Sequence, residues 1–337
     1  MRQIALTALF ASTSLLAQPR VLHFTRTSGY DHGTREVSND MFQSIGAEIN
    51  AIIDDDQSAS PFSDPAVLAQ YAVIIFSNTS GNAILDAGQR SNFEQWVASG
   101  GSVMGIHAAS DTYRHSSANG NNTGTWDFYA ELIGASVQEN PNHVAGTPAY
   151  TMQHIGLHAS TANLPDPWVK NEEYYYWEGG YFGTDNTEVL RVEETIGPNG
   201  QVNSYDAERP MSWFRILPNG SRVFYTALGH AQSNYTSDML FRAHVRDALE
   251  WLLGDPQGIS DVGQPQNQRV APNPADARLV LSCDARIGSW SVSDAFGRVL
   301  LNGFSTERHA TVDVGSLASG VYDLRSACGA TRIVIAR

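Results

Sequence analysis

The chain has 337 residues, enough for one large domain or two, with 42% hydrophobic residues and a formal net charge of −14. The acidity is uneven: residues 1–269 hold 14 Lys and Arg against 29 Asp and Glu, while residues 270–337 hold 7 against 6. A strongly acidic first part gives no basic face, so neither nucleic acid nor an anionic membrane is an expected partner.

Residues 1–17 read as a signal peptide. Arg2 is followed by a short apolar run over 4–16, and Ala17 offers a cleavage site before Gln18. The run is too short to span a membrane comfortably and no later stretch matches it, so the mature protein is expected to be soluble. The only two cysteines, Cys283 and Cys328, form an even pair in an exported chain and are a candidate disulfide. With no others, thiolate zinc sites are excluded.

After the leader, residues 20–25 predict a first strand, followed by a polar loop carrying Tyr30, Asp31 and His32. Thr34 is placed to cap a helix with Val37, Met41, Phe42 and Ile45 on one face. A second strand is expected over 48–53, with Asp54, Asp55 and Asp56 as a solvated loop, and a buried third strand over 71–76. Asp86 caps a helix with Phe93, Trp96 and Val97, which leads into Gly100, Gly101 and a short apolar strand over 103–106. This β-α-β-α rhythm predicts a parallel sheet whose functional loops gather at the strands' carboxyl ends.

The fourth strand runs straight into His107, followed by Ala108, Ala109, Ser110 and Asp111. Small residues around one large polar one resemble a nucleophile elbow, a sharp strand-to-helix turn that presents one side chain. Residues 116–124 form a polar, Asn-rich insert, and 126–133 a short helix. Alternating segments follow at 147–153 and 189–193. Between them Glu172 and Glu173 precede Tyr174, Tyr175, Tyr176 and Trp177 in an apparent aromatic strand. Residues 211–217 and 222–228 predict a hairpin turning at Asn219 and Gly220, and 239–253 a strong amphipathic helix. Residues 255–269 are an aperiodic linker. From 270 onward, short alternating strands recur every ten or so residues and predict a small all-β sandwich.

Residues 20–254 resemble the ThuA (trehalose-utilisation) family of the class I glutamine amidotransferase-like superfamily. The resemblance is carried by the first strand with the segment from Thr25 to His32, Gly100-Gly101 with the 105–111 elbow, Glu172-Glu173-Tyr174-Tyr175, Pro210-Met211-Ser212-Trp213, and 222–230 ending at His230. It implies a flavodoxin-like α/β fold and a carbohydrate ligand. In amidotransferases the elbow tip is cysteine; here it is His107, so amidotransferase chemistry is not expected. The chain also departs from the family in having Tyr30-Asp31-His32 where a Phe-Arg-His approach is usual. Its Asn-rich insert is longer than the family loop, which points to a change of specificity. Residues 270–337, through Pro272-Asn273-Pro274, Phe296-Gly297-Arg298 and Gly320-Val321-Tyr322, resemble a type IX secretion C-terminal sorting domain. That likeness implies a Bacteroidota-type bacterium, a secreted or cell-surface protein, and the type IX machinery as partner.

For chemistry, His107 is the leading candidate because a large polar residue at a tight turn is costly unless it faces a cleft. His32 and His230 are expected to open on the same sheet edge. Of the two adjacent glutamates, alternation lets only one face the pocket; Glu173 is favoured, and its aromatic surroundings suggest a raised pKa. Asp111 is expected to orient an imidazole or bind a hydroxyl group, and Thr25, Tyr30, Tyr175 and Trp213 are candidate substrate contacts. His23, inside a strand, is read as core. Lys170, the single lysine, has no evident apolar context for Schiff-base chemistry. Three converging imidazoles could hold Zn²⁺ or another transition metal, but no histidine spacing on one helix supports it, so no cofactor is expected. Two functions remain open: acid–base catalysis on a glycoside or oxidised sugar by His107 and Glu173, or sugar binding without turnover.

Overall fold

A computed structural model describes residues 18–114, 125–180, 183, 185–254, 268–283, 287–294, 299–305, 307–326 and 329–337. The expected signal peptide, the Asn-rich insert, residues 255–267 of the linker and Cys328 lie outside them. The chain divides after residue 256 into two compact units.

The first unit is built on one nine-stranded mixed sheet. Its parallel half holds β1 (Arg20–Phe24), β2 (Ile52–Asp56), β3 (Tyr71–Ser77), β4 (Ser102–Ile106) and β9 (Arg222–Thr226), in the order β2-β1-β3-β4-β9. The connections through α1 (Arg35–Glu48), α2 (Pro65–Leu68) and α3 (Ala87–Ala98) bury β3 and β4, which explains their apolar runs. Asp86 caps α3 through a reciprocal capping box with Gln89. Beyond β9 the sheet becomes antiparallel. The hairpin with β8 (Arg209–Ile216) turns at Asn219–Gly220, and β7 (Thr187–Val192), β5 (Ala149–His154) and β6 (Trp168–Asn171) complete it. Helices α4 (Asp127–Ile133), α5 (Gln232–Thr236) and α6 (Met239–Leu253) complete the unit.

Two local expectations are corrected. α1 continues to Glu48, so β2 starts at Ile52 and contains the three aspartates. They belong in a strand because Arg20 pairs with Asp54, while His23 and Arg35 pair with Asp55. Thr34 does not cap α1; its hydroxyl accepts a hydrogen bond from Asn78 Nδ2 at 2.9 Å.

The second unit consists of two antiparallel sheets around a shared core. One contains β10 (Arg269–Ala271), β11 (Arg278–Ser282) and β14 (His309–Asp313). The other contains β12 (Gly288–Ser293), β13 (Val299–Ser305), β15 (Gly320–Ser326) and β16 (Gly329–Ile335). Leu279, Leu281, Val292, Val312, Leu324 and Ile333 fill that core. Cys283 is buried at its edge and disulfide-bonded. Among the described residues, no helix is long and apolar enough to cross a membrane.

Candidate functional site

The turn after β4 sets the site. His107 has φ +48°, a left-handed conformation unfavourable for a side chain this large. Several bonds fix it there. Tyr225 donates to the His107 carbonyl at 2.8 Å, and the Ala108 amide donates to Asn78 at 3.4 Å. Gly105 is required just before the turn, because a Cβ there would meet the Tyr225 ring at 2.9 Å. The imidazole is wholly buried. Its Nδ1 bonds the Ala227 carbonyl at 2.7 Å, so this nitrogen carries the proton, and Nε2 lies 2.9 Å from the Tyr175 hydroxyl. Tyr175 stacks on it, with ring centres 4.4 Å apart.

Three other segments converge on this ring. His32, on the loop between β1 and α1, stands edge-on to His107, with centres 4.8 Å apart. His230 follows β9, with its ring 5.3 Å from His107 and 5.2 Å from His32. Gly229 has φ +113°, and an added Cβ would meet Tyr235 and Ile106 within 3 Å, so only glycine permits this approach. Glu173, two residues beyond β6, places Oε2 3.2 Å from His107 Nε2, 3.2 Å from His230 Nδ1 and 3.9 Å from His32 Nε2. Its Oε1 lies 3.1 Å from His143 Nε2. The preceding residue points the other way. Glu172 is buried and accepts from the Gly229 and His230 amides and from Asn234, which fixes the backbone that carries His230.

Burial works to raise the Glu173 pKa, but the imidazoles of His107, His230 and His32 outweigh it and hold the carboxyl well below its usual range. This overturns the expected raised value. The cause is long-range: the neighbours that decide the shift come from distant segments, whereas the aromatic residues next to Glu173 suggested only burial. His230 is raised by Glu173 against the opposing effect of burial, and burial lowers His32. Burial lifts Tyr175 far above its ordinary value, so its hydroxyl stays protonated.

A cavity of about 260 Å³ opens on this cluster, lined by Tyr30, His32, Asp111, Val137, Asn142, His143, Glu173 and Tyr175. A larger hollow of about 470 Å³ lies beside Trp96 and Gly101, but Tyr71 is its only titratable lining group, so it offers little acid–base chemistry. Asp111 reaches the first cavity with its carboxylate already bound by Ser80 (2.9 Å) and Arg114 (3.0 Å); the expected orientation of an imidazole falls to Glu173 instead. Tyr30 is 67% exposed at the rim.

Two candidate contacts are corrected. Trp213 is wholly buried in β8, donates to the Ile133 carbonyl and packs on Trp177 and Tyr225, so it is core and not a sugar platform. The Thr25 hydroxyl accepts from Arg35 at 3.1 Å and does not line the cavity. Lys170 is more buried than expected, beside Trp168 and Phe241, but its ammonium is tied to Asp238 and Asn234. The functional residue the sequence did not reveal is His143. It sits between α4 and β5, in a segment without periodicity, and its one local signal is a histidine within a Pro/Asn-rich loop.

The nine-stranded mixed sheet with His107 at the tip of the β4 turn is the fold of ThuA-like proteins. The chain belongs to the ThuA family, described as trehalose utilisation, which matches residues 20–252; residues 269–335 match the secretion-system C-terminal sorting domain. The first unit is similar to a ThuA-like protein from Bacteroides uniformis (20% identity, TM-score 0.56, 74% of this chain and 98% of that one). A ThuA-like protein from Parabacteroides merdae is also similar (15%, 0.52, 72% and 94%). A glutamine amidotransferase from Thermotoga maritima aligns at 11% identity and TM-score 0.43, over 71% of this chain and 99% of that one. No curated protein matches.

Proposed function

We propose that this chain is an exported enzyme that acts on a carbohydrate, a glycoside or an oxidised sugar, by proton transfer at the Glu173 cluster. The observation that carries this reading is a buried carboxylate in contact with four imidazoles at the wall of a polar cavity. Because Glu173 stays ionised, it serves as the fixed anion that orients an imidazole and stabilises its charged form. His143 bonds the Val144 carbonyl through Nδ1 and Glu173 Oε1 through Nε2, so proton exchange with substrate falls to the Glu173–His143 pair at the cavity wall. His107 holds Glu173 from behind as a positioning residue, and Asp111 and Tyr30, at the cavity lining, are placed to bind hydroxyl groups. The family description supports a sugar substrate, and the sorting domain together with the leader-like residues 1–17 supports release to the cell surface or beyond.

The test incubates the full exported chain with disaccharides and their oxo derivatives and follows the mixture by proton NMR. New anomeric signals that disappear in Glu173→Gln are expected. Line broadening without new signals would contradict catalysis and leave a sugar-binding protein.

A further inference from the structure

The hydrogen-bond arrangement behind Glu173 is unusual for a histidine–carboxylate pair. The Ala227 carbonyl can only accept, so His107 Nδ1 carries a proton and Nε2 is the ring nitrogen aimed inward at the cluster. The Tyr175 hydroxyl lies at hydrogen-bond distance from that nitrogen, and Glu173 Oε2 also lies 3.2 Å away. His230 Nδ1 is 3.2 Å from the same oxygen, is buried, and makes no hydrogen bond of acceptable geometry. One atom from each of His32, His107, Glu173 and His230 falls within 4.8 Å of all the others. Three imidazole nitrogens and one carboxylate oxygen from four separate segments, gathered at such spacing, are the donor set of a transition-metal site.

We infer that His32, His107, His230 and Glu173 Oε2 form a binding site for a divalent first-row transition-metal ion. Ligands held about 2.0–2.1 Å from a tetrahedral ion stand about 3.3 Å apart, close to the two 3.2 Å separations observed here. Three imidazoles, one carboxylate and no thiolate suit Zn²⁺ and its neighbours and not Mg²⁺ or Ca²⁺. The surroundings supply the outer support such sites require: the Ala227 carbonyl orients His107, His143 engages the second oxygen of Glu173, and Glu172 anchors the backbone amide of His230. The ion would face the cavity, where it polarises a substrate hydroxyl or carbonyl oxygen, and His143 remains outside the ligand set to move the proton. This site coincides with that of the proposed function, but its existence does not depend on any sugar being turned over.

The test uses the full exported chain, purified without a polyhistidine tag, stripped with a chelator and titrated with Zn²⁺ by calorimetry. One equivalent is expected. His230→Ala and His107→Ala should weaken it by more than about 100-fold, beyond the ~10–100-fold cost of losing an outer partner. His309→Ala, in β14 of the second unit, should leave it unchanged. If His107→Ala fails to fold, His32→Ala in the loop before α1 carries the same test. No binding by the folded chain, or equal binding by every variant, overturns the inference. Stoichiometric Zn²⁺ with no sugar turned over supports the metal site and overturns the proposed function; turnover without metal binding does the reverse.

Discussion

Two histidine–carboxylate clusters lie in the same sheet unit and differ in what they leave unsatisfied. In the first, His23 on β1 bonds Asp55 at 2.8 Å and Ser38 at 2.7 Å, and Ser38 continues to Ser77 at 2.8 Å. Both ring nitrogens are partnered, the histidine is wholly buried, and Arg35 neutralises Asp55. In the second, Glu173 meets four imidazoles, His230 Nδ1 lacks a hydrogen bond, and a cavity opens on the carboxylate. A Ser-His-Asp sequence of contacts thus occurs in this chain at the place where it is closed off. Residue type does not separate structure from function here; saturation and access do.

That contrast is open to attack from four directions. The largest effect is expected at Glu173→Gln, which should lower kcat/KM roughly 10³-fold in the folded molecules; the depressed carboxyl also stabilises the fold, so the melting temperature should fall as well. His23→Ala should act on stability alone: it removes a buried imidazole hydrogen-bonded to Asp55 and Ser38 and should cost about 2–3 kcal/mol in denaturant unfolding, with turnover per folded molecule retained. Glu172→Gln lies between the two, because that carboxylate holds the backbone of His230; turnover should fall about tenfold and stability by about 1–2 kcal/mol. The fourth direction is acid. Burial holds wholly buried His244 down at about 4, with its backbone bond to Ser160 and then Asp247 opposing that and Lys170 adding to it. The unfolded chain therefore takes up a proton below pH ~6.5 that the folded one refuses, so stability is full above that pH and falls by about 1.4 kcal/mol per unit down to pH ~4. Melting curves between pH 7 and 4.5 should show at least this slope, and His244→Gln should reduce it without abolishing it, because burial also holds His158 down at about 3 and lowers His23 and His32.

Much of the frame was legible in local pattern. Glycine and small residues marked the β4 turn, Asn219–Gly220 marked the hairpin, and apolar spacing marked α6 to the residue. Alternation separated Glu173 from Glu172 even though the segment forms only isolated bridges through Tyr175 and Trp177 instead of a strand. What escaped depends on partners far away in the chain. Three consecutive aspartates read as a solvated loop until Arg20, His23 and Arg35 supply the charges that let them enter β2. Trp213 read as core somewhat more than as platform, and its burial is decided by Trp177, Tyr225 and the Ile133 carbonyl. The ionisation of Glu173 was misread for the same reason, since no local feature announces four distant imidazoles.

The most direct test of the contrast measures kcat/KM and melting temperature for Glu173→Gln and His23→Ala side by side, on whichever sugar the NMR panel identifies. A crossed result is predicted in the folded molecules: the first variant loses its turnover even where it is fully folded, and the second loses stability and keeps its turnover per folded molecule. If the folded fraction of Glu173→Gln instead still turns the sugar over, the Glu173 cluster is a structural device like the one around His23.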